Sequence, residues 1–166
     1  MGSPHPPGDR NGRRPRAHII ADTMGAAAPP ATDSPTRVRF AAISDAGRVR
    51  AVNQDSFHAG QVNGRGFLAM VADGMGGHNA GEVASRKAVE LVRREFEKSR
   101  AHPPAALARA VRSANLGIVD YAEEHPESFG MGTTLTAVFI DDQVGLVAHV
   151  GDSRAYLLRG EELKPL

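Results

Sequence analysis

The spacing of apolar positions divides the chain into β-like and helical stretches. Val38 to Ser44 alternates loosely and is rich in β-formers, which predicts a first strand closed by the turn Ser44-Asp45-Ala46-Gly47. After a polar run from Arg48, Phe57 to Val62 reads as a short strand. Asn63-Gly64 then reads as a hairpin turn into a continuous apolar strand, Phe67 to Ala72. There the period changes. Ala84, Ala88, Leu91, Val92, Glu95 and Phe96 fall at spacings of three and four, predicting a helix over Glu82 to Ser99. Leu107, Val111, Ala114, Ile118 and Tyr121 predict a second helix, set off by His102-Pro103-Pro104 and closed by Pro126. Both stripes are narrow, so each helix is expected to lie on a sheet with one side wet.

The strand pattern returns at Thr134 to Ile140, Gly145 to Val150 and Arg154 to Leu158, with a further start at Leu163. Strands joined by tight turns imply an antiparallel meander. Strands, then two helices, then strands argue for an α+β layered domain rather than a parallel doubly wound sheet. Residues 1–36 collect proline, glycine, alanine and arginine without periodicity. They are expected to form a disordered extension ahead of a folded domain over 37–166. Arg13-Arg14 precedes only Ile19-Ile20-Ala21-Asp22, too short and polar for the apolar core of an export signal.

Composition narrows the function classes. The chain has 166 residues, 41% hydrophobic and 23% charged, enough for one domain with a core. A net charge of +1 gives no electrostatic case for nucleic acid or an anionic membrane. No apolar run approaches the ~20 residues of a membrane span, so a cytoplasmic location is expected. With no cysteine, disulfides, thiolate metal sites and a cysteine nucleophile are all excluded.

Candidate chemistry centres on Val71-Ala72-Asp73-Gly74-Met75-Gly76-Gly77-His78-Asn79-Ala80-Gly81-Glu82, where an apolar strand runs into a carboxylate and glycines before a helix. Glycine there permits positive φ or close approach of a ligand to the backbone. Gly81 is followed by Glu82 and Val83, which excludes the nucleoside-triphosphate loop. Counting from Gly74, the sixth position is Asn79, which excludes the dinucleotide fingerprint. Asp73 and the Gly74 carbonyl remain as hard oxygen donors suited to Mg²⁺ or Mn²⁺. Asp55 and Asp152 also sit where predicted strands begin or break, so one sheet edge could gather all three acids. Arg50 offers a fork for bidentate phosphate binding. Read singly, Asp73 and Asp55 are caps, Arg50 is a solvated charge, and Asp152 is a local partner of Arg154.

Taken together, Ser44-Asp-Ala-Gly47, Arg50 through Asn53-Gln54-Asp55, Val71-Ala-Asp-Gly-Met-Gly-Gly-His78, Gly130-Met-Gly-Thr-Thr134 and Val150-Gly-Asp-Ser-Arg154 resemble the type 2C metal-dependent serine/threonine protein phosphatases, bacterial branch. Five motifs in order are a specific signal, where one alone would be weak. The resemblance implies a four-layer αββα sandwich of antiparallel sheets flanked by helices, with two or three Mg²⁺ or Mn²⁺ ions at one end. It implies Asp73 as the carboxylate bridging two metals, Gly74 as a carbonyl ligand and Asp55 as a member of the metal shell. It further implies Arg50 as the phosphate clamp and Asp152 as an acid of a third metal site. The resemblance would place a general-acid histidine next to the Asp-Gly pair, whereas three residues separate His78 from Gly74, so His78 is at least as well read as a structural or solvent-facing residue. Thr133 and Thr134 pack beside the site or simply favour β structure, and His149 is a core or cross-strand residue.

The implied activity is hydrolysis of phosphoserine and phosphothreonine on proteins, with a Ser/Thr kinase and its targets as partners. The family's later motifs, whose aspartates complete the first metal site, have no counterpart before Leu166. The resemblance therefore implies the N-terminal part of a catalytic domain, incomplete at its C-terminal side and weakly active or inactive alone. A non-catalytic phosphopeptide- or kinase-binding module is the alternative.

Overall fold

The computed structural model describes residues 38–48, 52–62, 64–77, 79–142 and 144–166. The extension expected over 1–36, Arg50 and His78 lie outside these residues. The elements in order are β1 (Asp55–Gln61), β2 (Phe67–Met75), α1 (Ala80–Lys98) and α2 (Pro103–Glu124). A single 3-10 turn (Pro126–Ser128) leads to β3 (Gly132–Thr133), β4 (Leu135–Ile140), β5 (Gly145–Val150), β6 (Tyr156–Arg159) and β7 (Glu162–Pro165). The main sheet is antiparallel in the order β1-β2-β4-β5, with β3 added on β2, while β6 and β7 form a separate hairpin. This is the α+β arrangement of antiparallel sheets and helices read from the sequence.

Alternation along β2 and β4 sends Leu68, Met70, Ala72, Leu135, Ala137 and Phe139 to one face. There they meet Val92 and Phe96 of α1 and Leu107, Ala110, Val111 and Ala114 of α2 in one continuous core. The Phe96 and Phe139 rings lie 5.0 Å apart at 59°, a tilted pair that locks helix to sheet. Arg65, in the β1–β2 turn, donates to the carbonyls of Ser99 and, at 2.7 Å, Ala101, and its guanidinium lies over Phe96. It thereby satisfies carbonyls at and just beyond the C-terminal end of α1.

Three local expectations change. Val38 to Ser44 forms no strand, and Ile43 is 92% exposed. Its apolar alternation suits a sheet, but no described strand pairs with it, and alternation without a ladder partner leaves main-chain groups in water. Strand β1 begins at Asp55 instead of Phe57, and β2 runs on through Asp73 and Gly74 to Met75 instead of stopping at Ala72. The reason is pairing on both sides: Asp55 stands opposite Asp73, and Thr133 opposite Gly74. Gly74 is glycine for close approach, because a Cβ there would lie 1.9 Å from the carbonyl oxygen of Gly81 in α1. The positive φ falls two residues later, at Gly76 (149°). Among the described residues, no helix is long and apolar enough to cross a membrane.

Candidate metal centre

Asp55 and Asp73 are direct cross-strand partners on neighbouring antiparallel strands. Such partners share one face of the sheet with Cβ atoms about 5 Å apart. Which face is set by their neighbours. Ser56 turns toward the helices, where its hydroxyl lies 2.9 Å from that of Ser85 on α1. Asp55 must therefore point away from α1, together with Phe57. By the same alternation Ala72 is buried against the helices, so Asp73 faces away with Val71. Both acids are exposed.

The backbone around them is tied from several sides. The Asp55 N–H donates to Asn53 Oδ1 at 3.0 Å, and Asn53 Nδ2 donates to Ser44 Oγ at 2.6 Å. The Gly74 N–H donates to the Gln54 carbonyl at 3.0 Å. The Asp73 carbonyl accepts from the Thr134 N–H at 2.9 Å and from the Thr133 hydroxyl at 3.0 Å. Neither acid is a helix cap: both are strand residues, and Asn79 occupies the N-cap position of α1.

Two carboxylates directly opposite on a ladder repel one another. A divalent cation between them offsets that repulsion, and all-oxygen donors are what Mg²⁺ and Mn²⁺ prefer. The donor set therefore fits a hard cation. It is small, however: among the described residues no three His, Cys, Asp or Glu side chains converge on one point. The Gly74 oxygen lies close to Gly81, whose own added Cβ would stand 2.9 Å from it.

Asp152 lies in the loop after β5, at the same end of the sheet. Its neighbour Ser153 has its hydroxyl 2.8 Å from Thr134 Oγ1, which links that loop to the Asp73 strand. No ion pair joins Asp152 to Arg154 among the described residues. His149 is the cross-strand partner of Thr136. Beside Asp55 opens a cavity of ≈ 420 Å³, lined among others by Ser44, Asn53, Arg86, Glu90 and Arg93.

Sequence reasoning assigned no role to Asn53, Ser85 or Ser153. A signal existed for Ser85, a polar residue beside the buried positions of an amphipathic helix, because a buried hydroxyl requires a partner. Asn53 and Ser153 fall inside the quoted motifs, but nothing local points to their partners, which lie 9 and 19 positions away.

The family model described as protein phosphatase 2C matches residues 46–166. The chain is similar to the serine/threonine protein phosphatase PstP of Mycobacterium tuberculosis, 48% identical over 128 residues, covering 76% of this chain and 24% of that protein. It is similar to the serine/threonine phosphatase stp of Listeria innocua at 38% identity, covering 74% of this chain and 51% of that protein. Among solved structures, it superposes on the catalytic domain of PstP in complex with two manganese ions, with a TM-score of 0.69 and 43% identity. That match covers 77% of this chain and 54% of that one. The Stp1 phosphatase of Staphylococcus aureus aligns with a TM-score of 0.68 at 31% identity, over 74% and 50% of the two chains. The chain thus spans from about a quarter to about half the length of the relatives it matches.

Proposed function

The chain belongs to the protein phosphatase 2C family, and on that premise we propose that it carries ligands of a metal centre for hydrolysing phosphoserine and phosphothreonine on proteins. The observation that carries this reading is the placement of Asp55 directly opposite Asp73 on one face at one end of the sheet. In this reading Asp73, Asp55 and the Gly74 carbonyl hold Mg²⁺ or Mn²⁺, Asp152 serves a further cation, and Arg50 clamps the substrate phosphate. Divalent cations at such a site supply a water of lowered pKa and neutralise charge on phosphoryl oxygens. The protein's own residues orient the ligands. The Thr133 and Thr134 groups hold the Asp73 backbone in place. Phosphorylated proteins, among them a Ser/Thr kinase and its targets, are the proposed substrates.

Among the described residues no three His, Cys, Asp or Glu side chains converge, so Asp73, Asp55 and the Gly74 carbonyl would leave two cations held mostly by water. We therefore expect the 166-residue chain to bind Mn²⁺ through Asp73 with phosphate release near background. The same scarcity of ligands favours, as a second reading, phosphopeptide binding without turnover. The test is calorimetric titration with Mn²⁺, followed by a phosphothreonine peptide and assay of released phosphate. Loss of Mn²⁺ binding in Asp73→Asn supports the metal role, and unchanged binding removes Asp73 from it. Saturable peptide binding without release, abolished by Arg50→Ala, selects the second reading. Release well above background that Asp73→Asn abolishes would show that the described ligands suffice.

A further inference from the structure

Thr134, between β3 and β4, is only 2% exposed, a burial that a hydroxyl tolerates when it is hydrogen-bonded. It faces two segments at once. The pairing of Val71 with Thr136 and of Gly74 with Thr133 puts Thr134 opposite Asp73 in one continuous register. At that position a side chain replaces the main chain as acceptor: the Asp73 N–H donates to Thr134 Oγ1 at 2.9 Å. In return the Thr134 N–H donates to the Asp73 carbonyl at 2.9 Å. One residue therefore holds both main-chain polar groups of Asp73.

The same Oγ1 lies 2.8 Å from Ser153 Oγ. A hydroxyl that accepts one N–H still has its proton and a second lone pair, so it can serve both partners. The loop between them is shaped around Thr134. Gly151 has φ 103°, and a Cβ on it would stand 2.7 Å from Thr134 Cγ2. From the other side His149 Nε2 is 2.9 Å from the Gly151 carbonyl, and Nδ1 is 2.9 Å from Thr136 Oγ1. A carbonyl only accepts, so Nε2 carries the proton and, in the neutral ring, Nδ1 accepts from Thr136. Asp152 is held between these two ties.

We propose that Thr134 is a positioning residue that couples the backbone of Asp73 to the Gly151–Ser153 loop, so that cation binding at Asp73 depends on the loop that carries Asp152. The cation half of this inference rests on the metal roles proposed above; the backbone half does not. Removing the hydroxyl leaves the Asp73 N–H and the Ser153 hydroxyl without their shared partner. Changes just behind a metal ligand typically cost about tenfold to a hundredfold in metal affinity.

The test uses the 166-residue chain with Thr134→Val, which keeps the shape and loses the hydroxyl, and Thr134→Ser, which keeps the hydroxyl. Amide exchange without metal reads the backbone half. In Thr134→Val, exchange is expected to accelerate both at Asp73 and at residues 151–153, with α1 and α2 unchanged, and Thr134→Ser is expected to restore protection. Acceleration at Asp73 alone, or in both variants alike, overturns the coupling. A Mn²⁺ titration reads the cation half: about tenfold weaker binding in Thr134→Val, recovered in Thr134→Ser. Equal affinity in all three proteins overturns that half. If the unsubstituted chain binds no Mn²⁺, the proposed metal roles and the cation half fall together, and exchange alone decides the backbone coupling.

Discussion

The two faces of the main sheet are made by the same strands and end in different surroundings. On the helix side Leu68, Met70, Ala137 and Phe139 are fully buried against α1 and α2. On the other side the cross-strand partners Phe57 and Val71 remain 46% and 50% exposed. Asp55 and Asp73 continue this second face, one alternation further along each strand. Stability and candidate chemistry are thus divided between faces, not between segments. A carboxylate on the helix side would have to shed its hydration among apolar side chains, at a cost of several kcal/mol. On the open side it keeps water and can exchange it for a cation.

The largest test of this division is a pair of truncations. Phe139→Ala is expected to cost about 3–5 kcal/mol of unfolding free energy, the usual toll for emptying a buried aromatic site. Val71→Ala on the opposite face should cost no more than ~1 kcal/mol. Urea denaturation of both variants decides it, and similar losses would show that the second face also carries the fold. A smaller effect of opposite sign is expected at the acids. Asp73→Asn removes one charge of a directly opposed pair and should raise metal-free stability by about 0.2–1 kcal/mol. A clear destabilisation would mean that the Asp73 charge has a structural partner.

The smallest effect belongs to His58, on the helix side of β1. Its Nε2 is buried with no hydrogen-bond partner among the described residues. Burial lowers its pKa below 6.5; Arg93 adds to the shift and Glu97 opposes it. A lowered pKa means that the unfolded chain takes up the proton first. The contribution of His58 is therefore complete above pH 6.5 and is lost as pH falls from there through the folded-state value. His58→Gln should flatten the fall in stability across that window. An unchanged pH profile would assign the fall to other groups.

Much of this was legible in the chain. The helical stripes through Ala88 and Val92 and through Leu107 and Val111 marked α1 and α2, because burial of a helix stripe leaves a period that needs no partner to be seen. The β4–β5 and β6–β7 hairpins were legible from turn residues between short strands. The misreadings all concern pairing. Val38 to Ser44 has strand chemistry without a described partner, while Asp73, Gly74 and Asp55 have turn chemistry and are strand residues because neighbours complete their ladders.

By itself, then, the sequence determined the family, the α+β class, and the acids and glycines that could serve a hard cation, since local pattern and residue chemistry suffice for these. Only the tertiary structure decided that Asp55 faces Asp73 and that Gly74 is needed for contact with α1. It also decided that the Thr134 hydroxyl joins the Asp73 strand to the Asp152 loop. Each of these is a relation between residues 7 to 61 positions apart, as from Gly74 to Gly81 or Asp73 to Thr134. Register and packing set such distances, and no local propensity encodes them.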